Sequence, residues 1–322
     1  MKLKCKLIVF ALLIMLLFSL SSECVLADNY PERPIRWTIP FGAGGGVDRT
    51  ARIFIPFLEE ELGQPMILEY RPGAFSQIGN TVIYDAVPDG YSLGIFSTPP
   101  LGYTIHNYNT VYDTEDFSIF AVVTTDPVVF NVQLDSPWES LVDLIEDARK
   151  RPGEIRVGIT PGYDLAPLYF ENLFDIDFAI VSYDGGAAGR AAFLGGHLDV
   201  YVGGAFSALD LEDSSYALAV FDDQRNKFWP DAPVVNDILE PEYGITVPNL
   251  MAIRIFGSNA RFKEEYPERW DRVYNALYNT YHNPEFIERA RATGLDETLN
   301  WIDGQEAQDL VTKMHKVMEI VY

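Results

Sequence analysis

The stretch IRWTIPFGAGGGVDRTARIFIPFLEEELG, residues 35–63, decides the fold. Its apolar start, residues 35–41, predicts a buried β-strand, and residues 42–46 form a glycine-rich loop. Apolar residues recur on one helical face from Val47 to Leu62, and Gly63 is a typical helix stop, so a helix is predicted there. A strand, a glycine-rich loop and a helix in this order predict a βαβ unit with a parallel sheet.

The rest of the chain repeats this rhythm of short strands and amphipathic helices. Further strands are predicted at residues 66–70, 91–96, 155–159, 178–182 and 198–202, helices at residues 141–150 and 188–194, and a helix-rich tail from Arg261 onward. Ser140 and Asp143 form a capping box ahead of the first of these helices. The predicted fold class is therefore α/β, with helices on both faces of a parallel sheet.

The first 27 residues predict a secretory signal peptide that is cleaved near Ala27, and hence a periplasmic protein. A start with three lysines precedes an apolar run at residues 7–20, which is shorter than the about 20 residues of a membrane span. Two alternatives are an uncleaved N-terminal anchor and a lipid anchor at Cys24, although Glu23 stands where a lipoprotein signal normally has a small residue. All three place the rest of the chain outside the cytoplasmic membrane.

Composition narrows the class of protein further. Cleavage would remove Cys5 and Cys24, the only cysteines, and with them any disulfide framework or thiolate metal site. The remaining stretch of about 295 residues suggests two domains. The formal charge is −23, and removing three lysines and one glutamate, a net +2, leaves −25. This charge argues against a nucleic-acid partner, which requires basic patches.

The glycine-rich loop is the first candidate binding element. Its glycines allow backbone N–H groups to point at an anion on the N-terminus of the following helix, which carries about half a positive charge. The alternative is a flexible turn without a ligand. The loop does not fit a nucleotide motif, because Val47 replaces the third glycine of G-x-G-x-x-G and no Gly-Lys-Ser/Thr follows.

Signals for catalysis and for metals are weak. Gly90-Tyr91-Ser92-Leu93-Gly94 matches the hydrolase pattern G-x-S-x-G, but that pattern needs a strand before the serine and a helix after it. Here a turn precedes Ser92 and a strand is predicted to follow it. The histidines are scattered, at His106, His197, His282 and His315. We therefore expect no enzyme, no metal and no cofactor.

Several segments resemble one family, in order along nearly the whole chain after residue 27. They include Pro40-Phe41-x-x-Gly44-Gly45-x-x-Asp48, Leu62-Gly63-Gln64-Pro65, Arg71-Pro72-Gly73-Ala74, Pro88-Asp89-Gly90-Tyr91, Ser182-Tyr183-Asp184-Gly185-Gly186 and Leu194-Gly195-Gly196-His197-Leu198-Asp199. Together they resemble the substrate-binding receptors of tripartite tricarboxylate transporters, the Bug or TctC-type family.

The resemblance implies a two-domain, periplasmic-binding-protein-like (type II) architecture with two crossover strands. Domain 1 is expected at residues 28–130 plus 251–322, and domain 2 at residues 131–250. The implied ligand is a di- or tricarboxylate, an aromatic carboxylate or an amino acid, bound between the domains. The implied partners are the membrane permease subunits of the transporter, and the receptor is expected to be a monomer. The alternatives are a solute sensor for a membrane kinase or a secreted α/β hydrolase.

Carried over to this sequence, the resemblance implies four groups of ligand-binding residues. They are Phe41, Gly42, Ala43, Gly44, Gly45, Gly46 and Asp48 in the first loop; Phe75, Ser76, Gln77 and Thr98; Thr160, Gly162 and Tyr163; and Tyr183, Asp184, Gly185 and Gly186. Arg71 and Arg190 are further candidates, with surface or interdomain ion pairs as the alternative. Phe75 replaces a glycine that is common in the family, and residues 160–164 replace a Ser/Gly-rich stretch. These changes favour an aromatic carboxylate, or a carboxylate that also bears an amine.

Overall fold

The computed structural model of the protein describes residues 29–160, 163 and 165–321, and the side chains as far as residue 312. The predicted signal peptide and Cys24 lie outside the described residues. The same holds for Pro161, Gly162 and Asp164 in the second half of the chain.

The strand, loop and helix predicted at the start of the chain are confirmed. Strand β1 (Ile35–Ile39) leads through the glycine loop into helix α1 (Gly46–Leu62), and strand β2 (Met66–Tyr70) pairs with β1 in parallel. Gly63 ends α1 in the left-handed conformation, at φ 67°, where its N–H donates to the carbonyl of Glu59. The apolar face of α1 is buried, which explains why this segment is helical.

The other elements follow in alternation. The remaining strands are β3 (Ser92–Thr98), β4 (Phe117–Gln133), β5 (Arg156–Ile159), β6 (Ala179–Ser182), β7 (Val200–Gly204), β8 (Ser215–Val220), β9 (Met251–Asn259) and β10 (Leu299–Asp303). The remaining helices are α2 (Gln77–Tyr84), α3 (Pro100–Asn107), α4 (Leu141–Lys150), α5 (Leu165–Phe174), α6 (Gly186–Leu194), α7 (Val235–Tyr243), α8 (Ala260–Glu265), α9 (Pro267–His282), α10 (Pro284–Thr293) and α11 (Gly304–Val321). As predicted, Ser140 caps α4 by accepting a hydrogen bond from the N–H of Asp143.

The described strands form two parallel groups joined by antiparallel strands. They hydrogen bond in the order β2-β1-β3-β9-β4-β7-β5-β6, and β8 and β10 also pair with β4. Strand β4 pairs with β9 along residues 117–127 and with β7 and β8 along residues 128–133. The long strand β4 therefore connects the two groups, through β9 on one side and β7 on the other.

The tail differs in one respect from the helix-rich segment that was predicted. Its helices are present, and Trp270, Val273 and Leu277 are buried on one face of α9. Strand β10 was not predicted; it follows the turn at residues 295–298 and pairs antiparallel with β4. Among the described helices, none combines the length and the apolar character needed to cross a membrane.

Candidate functional site

A cavity of about 330 Å³ lies where the loops after β1, β5 and β6 meet. Its size is at the lower end of the range for small-molecule sites, and the carboxyl ends of parallel strands are where α/β proteins usually bind ligands. The residues predicted from the sequence that line it are Phe41, Gly42, Gly45, Gly46, Thr160, Tyr163, Asp184, Gly185 and Gly186.

Two helices point their N-termini at this cavity. Helix α1 starts after Gly45 and α6 starts after Gly185, and no described side chain forms a capping hydrogen bond at either start. The first N–H groups of a helix have no partner within the helix, and they lie at the positive end of its dipole. The cavity wall therefore contains two sets of backbone donors suited to an anion.

The two glycine turns face each other at close range. A Cβ atom placed on Gly185 would lie 4.0 Å from the N atom of Gly42, and one placed on Gly44 would lie 4.0 Å from Cβ of Ala187. The Arg190 side chain donates from Nη2 to the carbonyl of Gly44 at 3.0 Å. Because φ of Gly44 is +82°, a residue with a side chain would be strained at this position.

Asp48 holds the first glycine turn in place from behind. Its buried carboxylate accepts hydrogen bonds from the N–H of Gly44 at 2.7 Å, from Nε of Arg52 at 2.9 Å and from the Tyr70 hydroxyl at 2.6 Å. Burial alone would raise the pKa of Asp48, but these three donors lower it below its ordinary value. Burial and the Asp48 carboxylate together raise the pKa of Tyr70 to about 12, so Tyr70 remains a donor.

A buried ion pair lies against the cavity. Arg254 on β9 lines the wall with 2% of its surface exposed, and Asp126 on β4 is fully buried. Nη2 of Arg254 donates to Oδ2 of Asp126 at 2.8 Å and to Oγ of Ser207 at 2.6 Å. Burial alone would lower the pKa of Arg254, but the Asp126 carboxylate raises it, so the guanidinium is charged.

Two buried phenols complete the wall. Tyr163 and Tyr201 both line the cavity, and burial raises the pKa of each hydroxyl. Both side chains are therefore neutral at physiological pH and can donate a hydrogen bond to a ligand.

Several residues predicted for the site do not line the cavity. Ala43 and Gly44 are exposed, and Asp48 acts through the first turn rather than through the wall. Tyr183 packs partly buried against the core between α6 and β7. Thr98 is buried at the end of β3, while its neighbour Ser97 lines the cavity. Gly162 lies outside the described residues.

The turn that carries Phe75 is also set back from the wall. Ala74, Phe75 and Ser76 have positive φ angles of 45°, 55° and 84°, a strained run for residues other than glycine. Phe75 packs edge-on against Tyr103 and Tyr108, with ring centroids 5.8 and 5.7 Å away. Ser76 is buried and accepts from Asn80, and Gln77 starts α2. The structure therefore does not bring this turn to the cavity.

The two candidate arginines have different surroundings. Arg71 is exposed and pairs with Glu69 at 3.4 Å, which fits a surface ion pair. Arg190 is 5% exposed, contacts the first glycine turn and pairs with Asp210 at 3.3 Å.

Asp126 and Arg254 were not among the site residues predicted from the sequence. Each is a charged residue inside a long apolar run that forms a strand, and a charge buried in this way requires a partner. The sequence therefore contained a signal that each residue needs a partner. It did not show that the two residues pair with each other, because they are 128 positions apart.

A metal site and a hydrolase elbow were the two other kinds of site considered from the sequence. The described residues hold no group of three or more His, Cys, Asp or Glu side chains placed to bind a metal ion. Ser92 is the first residue of β3, so the strand follows the serine instead of preceding it. This is the reverse of the order in a hydrolase elbow.

Comparison with known proteins gives consistent results. BugT of Bordetella pertussis is 29% identical over 228 residues, which cover 68% of this chain and 70% of BugT. The structure of MatC from Rhodopseudomonas palustris with bound malate has a TM-score of 0.78 at 20% identity and covers 91% of this chain and 99% of MatC. A second R. palustris protein, solved with adipate, has a TM-score of 0.77 at 21% identity and covers 91% and 97%.

These similarities confirm the predicted fold class, an α/β periplasmic-binding-protein-like architecture of two domains. The sequence model described as "Tripartite tricarboxylate transporter family receptor" matches residues 50–319, which is most of the chain. The chain therefore belongs to the tripartite tricarboxylate transporter receptor family, whose members are periplasmic solute-binding proteins.

Proposed function

We propose that this protein captures a small carboxylate in the cavity between the two glycine turns and delivers it to a tripartite tricarboxylate-type transporter. The observation that carries this proposal is that two helix N-termini without side-chain caps line one cavity, with their glycine turns in close contact. Backbone donors and helix dipoles bind an anion without any reactive side chain. A receptor requires only such backbone donors and dipoles, whereas an enzyme would also require reactive side chains.

The ligand class follows from the wall of the cavity. A carboxylate fits the N–H groups at the two turns, and apolar side chains such as Phe41 and Pro100 can pack against its carbon skeleton. Each hydrogen bond to a charged group contributes about 1.5–3 kcal/mol, while micromolar affinity requires about 8 kcal/mol. A few such bonds suffice after ordering costs. Among the proposed classes, a di- or tricarboxylate, an aromatic carboxylate or an amino acid, the malate in MatC and the adipate in the second R. palustris structure favour a dicarboxylate.

We further propose that residues 28–130 with 251–322 form one lobe and residues 131–250 the other. The pairing of β4 supports a boundary near Val128, where its partner changes from β9 to β7. The first glycine turn then belongs to one lobe and the second turn to the other. A ligand that contacts both turns would favour the closed arrangement by its higher affinity for that state.

We also propose that the protein is exported to the periplasm. The lysine-rich start, the apolar run and the Val25-Leu26-Ala27 site support a cleaved signal peptide and a periplasmic receptor, which fits the location of the family. We expect a monomer that docks on the membrane permease subunits of the transporter.

A ligand screen by thermal unfolding tests the binding function. The panel contains succinate, malate, adipate, citrate, benzoate and glutamate, with glucose as a neutral control. A compound present at about 100 times its Kd adds roughly 2.7 kcal/mol to the free energy of unfolding, so at least one carboxylate should raise the Tm by several degrees. The proposal fails if no member of a panel extended to other mono-, di- and aromatic carboxylates raises the Tm.

A further inference from the structure

Arg254 has hydrogen-bonding capacity that the fold does not use. A guanidinium carries five N–H donors, and Nη2 uses its two on Asp126 and Ser207. Nε and Nη1 of Arg254 are buried and have no hydrogen-bond partner among the described residues. Leaving buried donors of a charged group unpaired is unfavourable, so an acceptor is expected there.

The Asp126 carboxylate is shared, because it accepts hydrogen bonds from other donors besides Arg254. Its carboxylate also accepts from the N–H of Phe206 at 2.8 Å, from the N–H of Ser207 at 3.2 Å and from the Ser207 hydroxyl at 2.8 Å. One carboxylate thus serves four donors, while three N–H hydrogens of the neighbouring cation find no acceptor in the described part of the chain. The arrangement holds the guanidinium through Nη2 and leaves Nε and Nη1 for another acceptor.

Arg254 lies in the cavity wall beside the first glycine turn. A Cβ atom added to Gly46 would lie 2.4 Å from Nη2 of Arg254 and 2.4 Å from Oγ of Ser207, so the guanidinium lies directly against the start of α1. Arg254 is almost fully buried, whereas Asp184 on the same wall is exposed. The cation therefore marks the inner end of the cavity.

We propose that Arg254 is the specificity-determining residue of the cavity and pairs with a ligand carboxylate at its inner end, while Asp126 and Ser207 position the guanidinium. This inference rests on the proposed function and adds a charged contact to the backbone donors of the glycine turns. It explains why an arginine is buried in β9 at all. An ion pair that served only to join β4 and β9 would not need to lie in the cavity wall.

The test compares each panel carboxylate that binds with its fully amidated analogue, for example malate with malamide, adipate with adipamide and benzoate with benzamide. Isothermal titration gives the ratio of the two Kd values for the wild type, for Arg254→Gln and for Arg254→Lys. Replacement by glutamine should reduce the preference for the carboxylate by about 10- to 100-fold, because one charge-assisted contact is lost. Lysine, which keeps the charge, should retain part of the preference.

A purely structural role would give a different result. If Arg254 only stabilised the fold, Arg254→Gln would weaken acid and amide equally and leave the ratio unchanged, and this outcome would overturn the inference. Because glutamine at position 254 leaves Asp126 buried without its cation, the double variant Asp126→Asn/Arg254→Gln is measured in parallel, with the Tm as a check of folding.

Arg156→Gln is the matched control. It removes one arginine from another strand ion pair, which Arg156 forms with Asp199 at 2.6 Å outside the cavity wall, and should leave the ratio unchanged. The two proposals fail in distinguishable ways. Carboxylate binding with an unchanged ratio in the glutamine variant contradicts only the role of Arg254. A wild type that binds no carboxylate contradicts the proposed function, and the role of Arg254 with it.

Discussion

Asp48 supports the cavity without lining it. Its carboxylate accepts a hydrogen bond from the N–H of Gly44 and so holds the first glycine turn, which does line the cavity. The Asp48→Asn variant loses the ion pair with Arg52 and part of the acceptor capacity toward Gly44 and Tyr70. We expect a loss of about 1–3 kcal/mol in the free energy of unfolding at pH 7, measured by urea denaturation.

The stability difference between wild type and Asp48→Asn should also depend on pH. Because the pKa of Asp48 in the folded protein lies below its ordinary value of 3.8, the ionised carboxylate stabilises the fold above about pH 4. This stabilisation is lost as the pH falls through the folded-state pKa, so the difference between wild type and Asp48→Asn should shrink below pH 4. A difference that stays constant from pH 7 to pH 3 would contradict it. Asp135→Asn, at an exposed position, removes the same charge and serves as the control.

The sequence was informative for backbone sites and poor for side-chain partners. Glycines 42, 45 and 46 were identifiable, because glycines before a predicted helix are typical of a turn that exposes backbone N–H groups, whereas Gly185 and Gly186 were implied by the family resemblance. The positions of Phe75 and Tyr183 were not, because the direction of a side chain depends on packing with distant residues. For the same reason, the unpaired donors of Arg254 became visible only once its surroundings were known.

Asp210 connects the elements that carry the two glycine turns. Its carboxylate pairs with Arg49 on α1 and, at 3.3 Å, with Arg190 on α6. Since Asp210 is largely exposed, each pair is worth at most about 1 kcal/mol. We expect Asp210→Asn to raise the Kd of a bound carboxylate by about 2- to 5-fold, measured by titration calorimetry.

The control for this prediction is close by in the sequence. Asp213→Asn removes the same charge from an exposed residue outside the cavity wall and should leave the Kd unchanged. An unchanged Kd in Asp210→Asn would indicate that the link between α1 and α6 does not contribute to binding.

Prediction at the level of elements worked where local signals were strong. The α1 and α4 helices carry clear stop or cap residues, Gly63 and Ser140, and both form within a residue of the predicted bounds. Strand β10 has five residues between helices and exists because β4 offers it a pairing edge. That partner lies more than 170 residues earlier in the chain, and no local pattern reveals it.

In the molecule as a whole, one of the strands that connect the two halves of the sheet also contributes to the cavity wall. Strands β4 and β9 join the two parallel groups of strands, and the Asp126–Arg254 pair lies on these same two strands beside the cavity. The strands that connect the groups therefore also carry a charge at the site. The α/β fold class was predictable at this scale, because it follows from the repeated strand, glycine loop and helix pattern.

The most direct test is titration calorimetry of wild type and Gly45→Val with the panel carboxylate that raises the Tm most. A Cβ atom on Gly45 meets nothing closer than 3.7 Å and φ is −79°, so valine fits the backbone, while its methyl groups would fill cavity space beside the first turn. Ala292→Val, exposed on α10, is the control. We predict 1:1 binding by wild type and control and no detectable binding by a folded Gly45→Val. Equal affinity in all three proteins would contradict the claim that the two glycine turns hold the carboxylate.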